Sequence, residues 1–161
     1  MNIATQEGVK EIFQSIGCTD DSSGAFIMLK DYDNYTCLAF GPLAVATMHY
    51  NSNLSAYEAL LVNQTQKGLW VVPLAHTQKF SLTFGVAKMK ALTDKAVFIP
   101  NESIKSIKVR KPLLGRKYKI DIKLVGGLPS IRQVSRAREK DIPYQEANLM
   151  AFINRCRSQV A

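Results

Sequence analysis

Residues 117–124 read Lys-Tyr-Lys-Ile-Asp-Ile-Lys-Leu, with Tyr118, Ile120, Ile122 and Leu124 at every second position. Lys117, Lys119, Asp121 and Lys123 fill the places between them. Successive side chains of a strand point to opposite faces, so this repeat predicts a strand with one apolar and one basic face. A helix would scatter the same residues around its circumference. The segment before it behaves alike, because Ile107 and Val109 alternate with Lys108 and Arg110. The turn Lys111-Pro-Leu-Leu-Gly115 separates the two runs. Together they predict an antiparallel ribbon, Ser103 to Arg110 and Lys117 to Val125, closed by Gly126-Gly127. A ribbon that is apolar on one side only must lie on a core with its other side in water.

Strand signals extend back along the chain. Tyr57 to Val62, Leu69 to Leu74, Lys79 to Val86 and Lys95 to Ile99 are apolar or alternating runs bounded by turn residues. Pro73 places its run at a sheet edge or near a strand end, since proline donates no ladder hydrogen bond. Earlier, Ala25 to Leu29 and Tyr35 to Phe40 flank the turn Asp31-Tyr-Asp-Asn34 and predict a hairpin, with Leu43 to Tyr50 as a further strand. A helix is expected at each end. Val9, Ile12, Phe13 and Ile16 follow helical spacing after Thr5, a capping residue. Leu149, Phe152, Ile153, Cys156 and Val160 form a stripe after Pro143. Residues 128–143 stay open between helix, loop and mobile segment.

Runs of strands without βαβ alternation, flanked by helices, predict an α+β fold: an antiparallel β-barrel or sandwich. At 161 residues the chain suits one domain. Residues 1–56 supply the N-terminal helix and strands of that domain, and 57–161 the remainder.

Several chemistries find no support. Two histidines, His49 and His76, and three dispersed cysteines, Cys18, Cys37 and Cys156, offer no metal-ligand spacing and no disulfide framework. Cys37 and His49 lie in neighbouring strand candidates, but a buried small cysteine is the commoner use of such a residue. Glycine-rich phosphate loops are absent, so no cofactor is expected. Asp20, Asp21, Asp31 and Asp33 sit in turns, where aspartates cap the backbone. The odd, spread cysteines fit a reducing compartment, and Met1 to Gly8 lacks a basic and apolar leader, so a cytoplasmic protein is expected.

The charge distribution is more informative. Residues 1–100 hold 7 Lys/Arg and 8 Asp/Glu, whereas residues 101–161 hold 14 and 5, so the whole net charge of +8 belongs to the last part of the chain. Lys108, Arg110, Lys117, Lys119 and Lys123 share the outward face of the predicted ribbon. Lys111 and Arg116 crown its turn, and Arg132, Arg136, Arg138 and Lys140 follow. Such a surface suits an acidic partner. A solvated basic face that guards a sheet against aggregation is the competing explanation. A face built for nucleic acid would interleave aromatic rings, and Tyr118 points to the apolar side.

The segments "YEALLVNQTQKGLWVVPL" (57–74), "VFIPNESIKSIKV" (97–109), "KYKIDIKLV" (117–125) and the helix Gln145 to Arg157 follow one another in an order that resembles the pleckstrin-homology-like (PH-like) superfold. The form in question is that of small bacterial proteins of unknown function. The resemblance implies a barrel capped by the C-terminal helix and a binding role without catalysis. The family's phosphoinositide signature is a Lys/Arg run in the first strand-strand loop. The corresponding turn, Asn63 to Gly68, has only Lys67. The expected function is a non-catalytic binding module whose basic ribbon meets a protein partner, including a second copy of itself. An anionic membrane surface, nucleic acid and an enzyme with an unrecognised site are the alternatives.

Overall fold

In the computed structural model, which describes residues 1–30, 54, 57–76, 85–111 and 117–158, the period-two segments are strands. The elements are α1 (Gln6–Ser15), β1 (Phe26–Leu29), β2 (Ala59–Gln64), β3 (Gly68–Ala75), β4 (Lys90–Ala91), β5 (Val97–Pro100), β6 (Ile104–Arg110), β7 (Lys117–Leu124), β8 (Ile131–Arg136) and α2 (Gln145–Ser158). All strand pairings are antiparallel. The order across the sheet is β4-β3-β2-β1-β8-β7-β6, with β5 also on β3. The molecule is therefore α+β, and its described strands form one antiparallel sheet with a helix near each end.

The predicted hairpin partner Tyr35 to Phe40, the strand Leu43 to Tyr50 and residues 79–84 of the strand Lys79 to Val86 lie outside the described residues; the end of that last run is not strand, because Val86–Lys88 is a 3-10 turn begun at Gly85. β1 itself is a central strand, with β2 on one edge and β8 on the other. β3 is likewise internal. Pro73 is tolerated there because the neighbouring edge is interrupted, with β5 opposite Gly68 to Val71 and β4 opposite Leu74 and Ala75.

The sheet has two covered faces. Thr5 Oγ1 accepts the Gly8 N–H at 3.1 Å and starts α1, whose Val9, Ile12 and Phe13 bury against Ile27, Leu61, Val72 and Leu74. On the opposite face Leu149, Phe152, Ile153 and Cys156 of α2 bury against Phe26, Met28, Leu60, Val62 and Val71. Ile120, Ile122 and Ile131 join this second cluster, with Ile107, Val109 and Tyr118 partly buried against it. One helix thus packs against both ends of the strand order, so the sheet curls around α2.

The expected barrel does not close among the described residues. Asn101–Ser103 carries the chain from β5, at one side of the sheet, to β6, at the other. Spot contacts tie this connection to the β2–β3 turn: the Asn101 amide donates to Gln66 O at 2.6 Å, and its backbone N–H donates to Lys67 O at 3.0 Å. Arg155 and Cys156 of α2 line the groove between these edges, together with Gln64, Ile104 and Ile107.

Candidate binding surface on the basic ribbon

Three strands build the surface. β6, β7 and β8 contain eight Lys/Arg and one carboxylate, Asp121. Register decides where they point. Leu29 of β1 faces Val134, and Val134 faces Lys119. Leu29 packs on the α1 side, so Lys119 and its row share that side. The outer face is therefore divided: α1 covers the part over β1 to β3, and the ribbon's cations occupy the part over β6 to β8.

Across the ribbon, Lys108 stands opposite Asp121, and Asp121 opposite Arg132. Arg132 Nε lies 3.7 Å from Asp121 Oδ1, an ion-pair distance too long for a hydrogen bond, and that buried oxygen has no hydrogen-bond donor. Arg110 stands directly opposite Lys119, and Lys117 directly opposite Arg136. Like charges in cross-strand pairs cost stability. Asp121 is the only acidic residue in the three strands to offset them. Between the strands a depression of about 350 Å³ is lined by Arg110, Lys119, Asp121, Lys123 and Arg132, with Ile120 and Gln133.

The other sequence candidates are placed as follows. Lys111 is exposed just past β6, and Arg116 lies outside the described residues. Arg138 lies beyond the end of β8 and turns to Glu146, Nε to Oε2 at 3.3 Å. Arg132, on β8 opposite Asp121, belongs to the basic surface and is the residue that strand reasoning passed over. Its strand reads Ile-Arg-Gln-Val-Ser-Arg, with polar Gln133 and Ser135 buried and Val134 on the basic side. The alternation survives in space but not in hydropathy. Tyr118 packs inward as its register predicts, so no aromatic ring of the three strands stands among the cations.

Other titratable groups lie outside the ribbon. His76 Nε2 lies 3.5 Å from Glu58 Oε2. Lys30 is buried nearby, and that burial pulls its pKa below the usual lysine range, partly opposed by the Glu58 charge. His49 and Cys37 lie outside the described residues. Burial pushes the pKa values of the Cys18 and Cys156 thiols upward, away from the thiolate form. Among the described residues no three His, Cys, Asp or Glu gather to hold a metal, and no helix is long and apolar enough to cross a membrane. No family model, curated protein or solved structure matches the chain.

Proposed function

We propose that the protein is a non-catalytic binding module and that the ribbon β6–β8 is the surface that meets an acidic partner. The observation that carries this reading is the pairing of like charges, Arg110 with Lys119 and Lys117 with Arg136. A face that serves only solubility does better with mixed signs, which attract across the strands. A face that gives up cross-strand stability for concentrated positive potential gains attraction for an anion. The shallow depression between Arg110, Lys119, Lys123 and Arg132 suits anionic groups approaching from outside. The PH-like reading of the fold is carried forward as part of this proposal.

Anisotropy of labelled polyglutamate tests this. Binding is expected at low salt, weakening as salt rises, and weakening strongly in Lys117→Glu/Lys119→Glu but not in Lys10→Glu on α1. Equal affinity in all three proteins would overturn the reading. A single-stranded DNA probe of matched charge separates the nucleic-acid alternative. With no aromatic platform on the face, the DNA should bind no more tightly than the polymer's charge accounts for.

A further inference from the structure

The turn between β7 and β8 carries a feature that the ribbon's charge does not account for. Residues 125–129 read Val-Gly-Gly-Leu-Pro, and all five are exposed. Leu128 is 57% exposed and Val125 41%, two of the few large apolar side chains open to water among the described residues. Gly126 and Gly127 have φ of +73° and +71°, a backbone that requires glycine, but the residues around them are aliphatic. Solvated turns take Asn, Asp or Ser in such places. The tip is also braced: the Val125 N–H donates to Ser103 O at 2.9 Å, which extends the β6–β7 ladder to the base of the turn.

Cations stand beside it. Lys123 precedes the tip by two residues, and Arg132 follows Leu128 by four. A strand advances about 3.4 Å per residue, so Lys123 lies roughly 7 Å behind Val125. An apolar element that enters a lipid interface sinks about 5–10 Å to the headgroup-acyl boundary. With Val125 and Leu128 at that depth, Lys123 stands among the phosphates, and Arg132, opposite Asp121 and so roughly 14 Å behind Val125, stands just outside them with its long side chain as the second cation.

We infer that the β7–β8 tip, Val125 and Leu128 backed by Lys123 and Arg132, docks this protein on an anionic lipid bilayer. This rests on the reading of the ribbon as a binder of acidic surfaces, and names that surface. A narrow convex tip with two aliphatic side chains offers little to a protein interface, which needs roughly 800 Å² per partner. A bilayer accepts a protrusion of any shape. Two weak signals, apolar insertion and basic attraction, together give reversible membrane binding where either alone is marginal. Glu102, exposed next to Ser103 at the same end, is a carboxylate set against the docking, and Asp121 stands beside Arg132.

The test is sedimentation of the full chain with phosphatidylcholine vesicles and with vesicles that also contain phosphatidylserine, each at low and moderate salt. Wild type should sediment with the anionic vesicles alone. Val125→Ser/Leu128→Ser and Lys123→Glu should each weaken this by roughly tenfold. Glu102→Lys should strengthen it, a gain that misfolding cannot mimic. Emission of the Leu128→Trp variant should shift to the blue only with anionic vesicles. If the serine variant binds as wild type does and the Leu128→Trp emission does not move, insertion of the tip is overturned while the ribbon reading stands. Polyglutamate binding without vesicle binding has the same meaning and points to an acidic protein. Binding to neither overturns both.

Discussion

Gln145, the first residue of α2, does the work of a missing strand segment. Its Oε1 accepts the Ile27 N–H at 2.8 Å, and its Nε2 lies 3.0 Å from each of Ile27 O, Ser135 Oγ and Arg136 O. β1 and β8 share only the pair Leu29 and Val134, so this side chain fills the ladder beyond it. Leucine there would leave buried backbone groups without partners, and each such group costs about 1–3 kcal/mol. Gln145→Leu should therefore lose about 2–4 kcal/mol by urea denaturation with an unchanged slope. One residue earlier, the Tyr144 hydroxyl donates to Ile3 O and ties the N-terminus to the start of α2. Burial pushes its pKa well above the usual tyrosine range. The unfolded chain thus releases this proton first as pH rises through about 10. Stability contributed by the neutral phenol is complete below that pH and declines above it. Tyr144→Phe should flatten the alkaline limb of a stability-against-pH curve, with a loss of about 1 kcal/mol at neutral pH.

At the scale of elements, the ribbon should be more stable with fewer of its own charges. Lys117→Glu turns a repulsive pair with Arg136 into an attractive one and should raise stability by about 0.5 kcal/mol at low salt. The gain should shrink as salt screens the pair, while affinity for polyglutamate falls. A loss of stability, or a gain indifferent to salt, would remove the argument from like charges. β6 and β7 were legible because every inward residue is apolar and every outward residue of β7 is charged. The neighbouring β8 was not legible, because Gln133 and Ser135 point into the core. Gln133 donates to Tyr57 O at 3.0 Å and Ser135 to Ile27 O at 2.6 Å. Buried polar residues with partners elsewhere in the chain cannot be told from surface residues by pattern.

At the scale of the whole molecule, two apolar clusters among the described residues share one sheet, α1 on the outer face and α2 on the inner. β1 contributes to both, with Ile27 to the first and Phe26 and Met28 to the second. The clusters should therefore unfold together. Phe13→Ala and Phe152→Ala each remove a fully buried ring, at a cost of about 3–5 kcal/mol. Each should lower the midpoint of a single transition seen alike by far-UV circular dichroism and by Trp70 fluorescence. Two separate transitions in either variant would show that the faces fold independently.

Local rules on the sequence were enough for the two helices, the β6–β7 ribbon with its faces, the β2 and β3 strands and the concentration of positive charge. Each follows from spacing, caps and turn residues that act within a few positions. Tertiary structure decided the rest. It placed β1 at the centre of the sheet, put Arg132 into the ribbon and set Lys117 against Arg136. It also left a seam beside β6 and made Gln145 part of a ladder 118 residues away. These features depend on pairings between distant segments. Strand partners are chosen by the shape and burial of the whole sheet, and no local pattern encodes that choice.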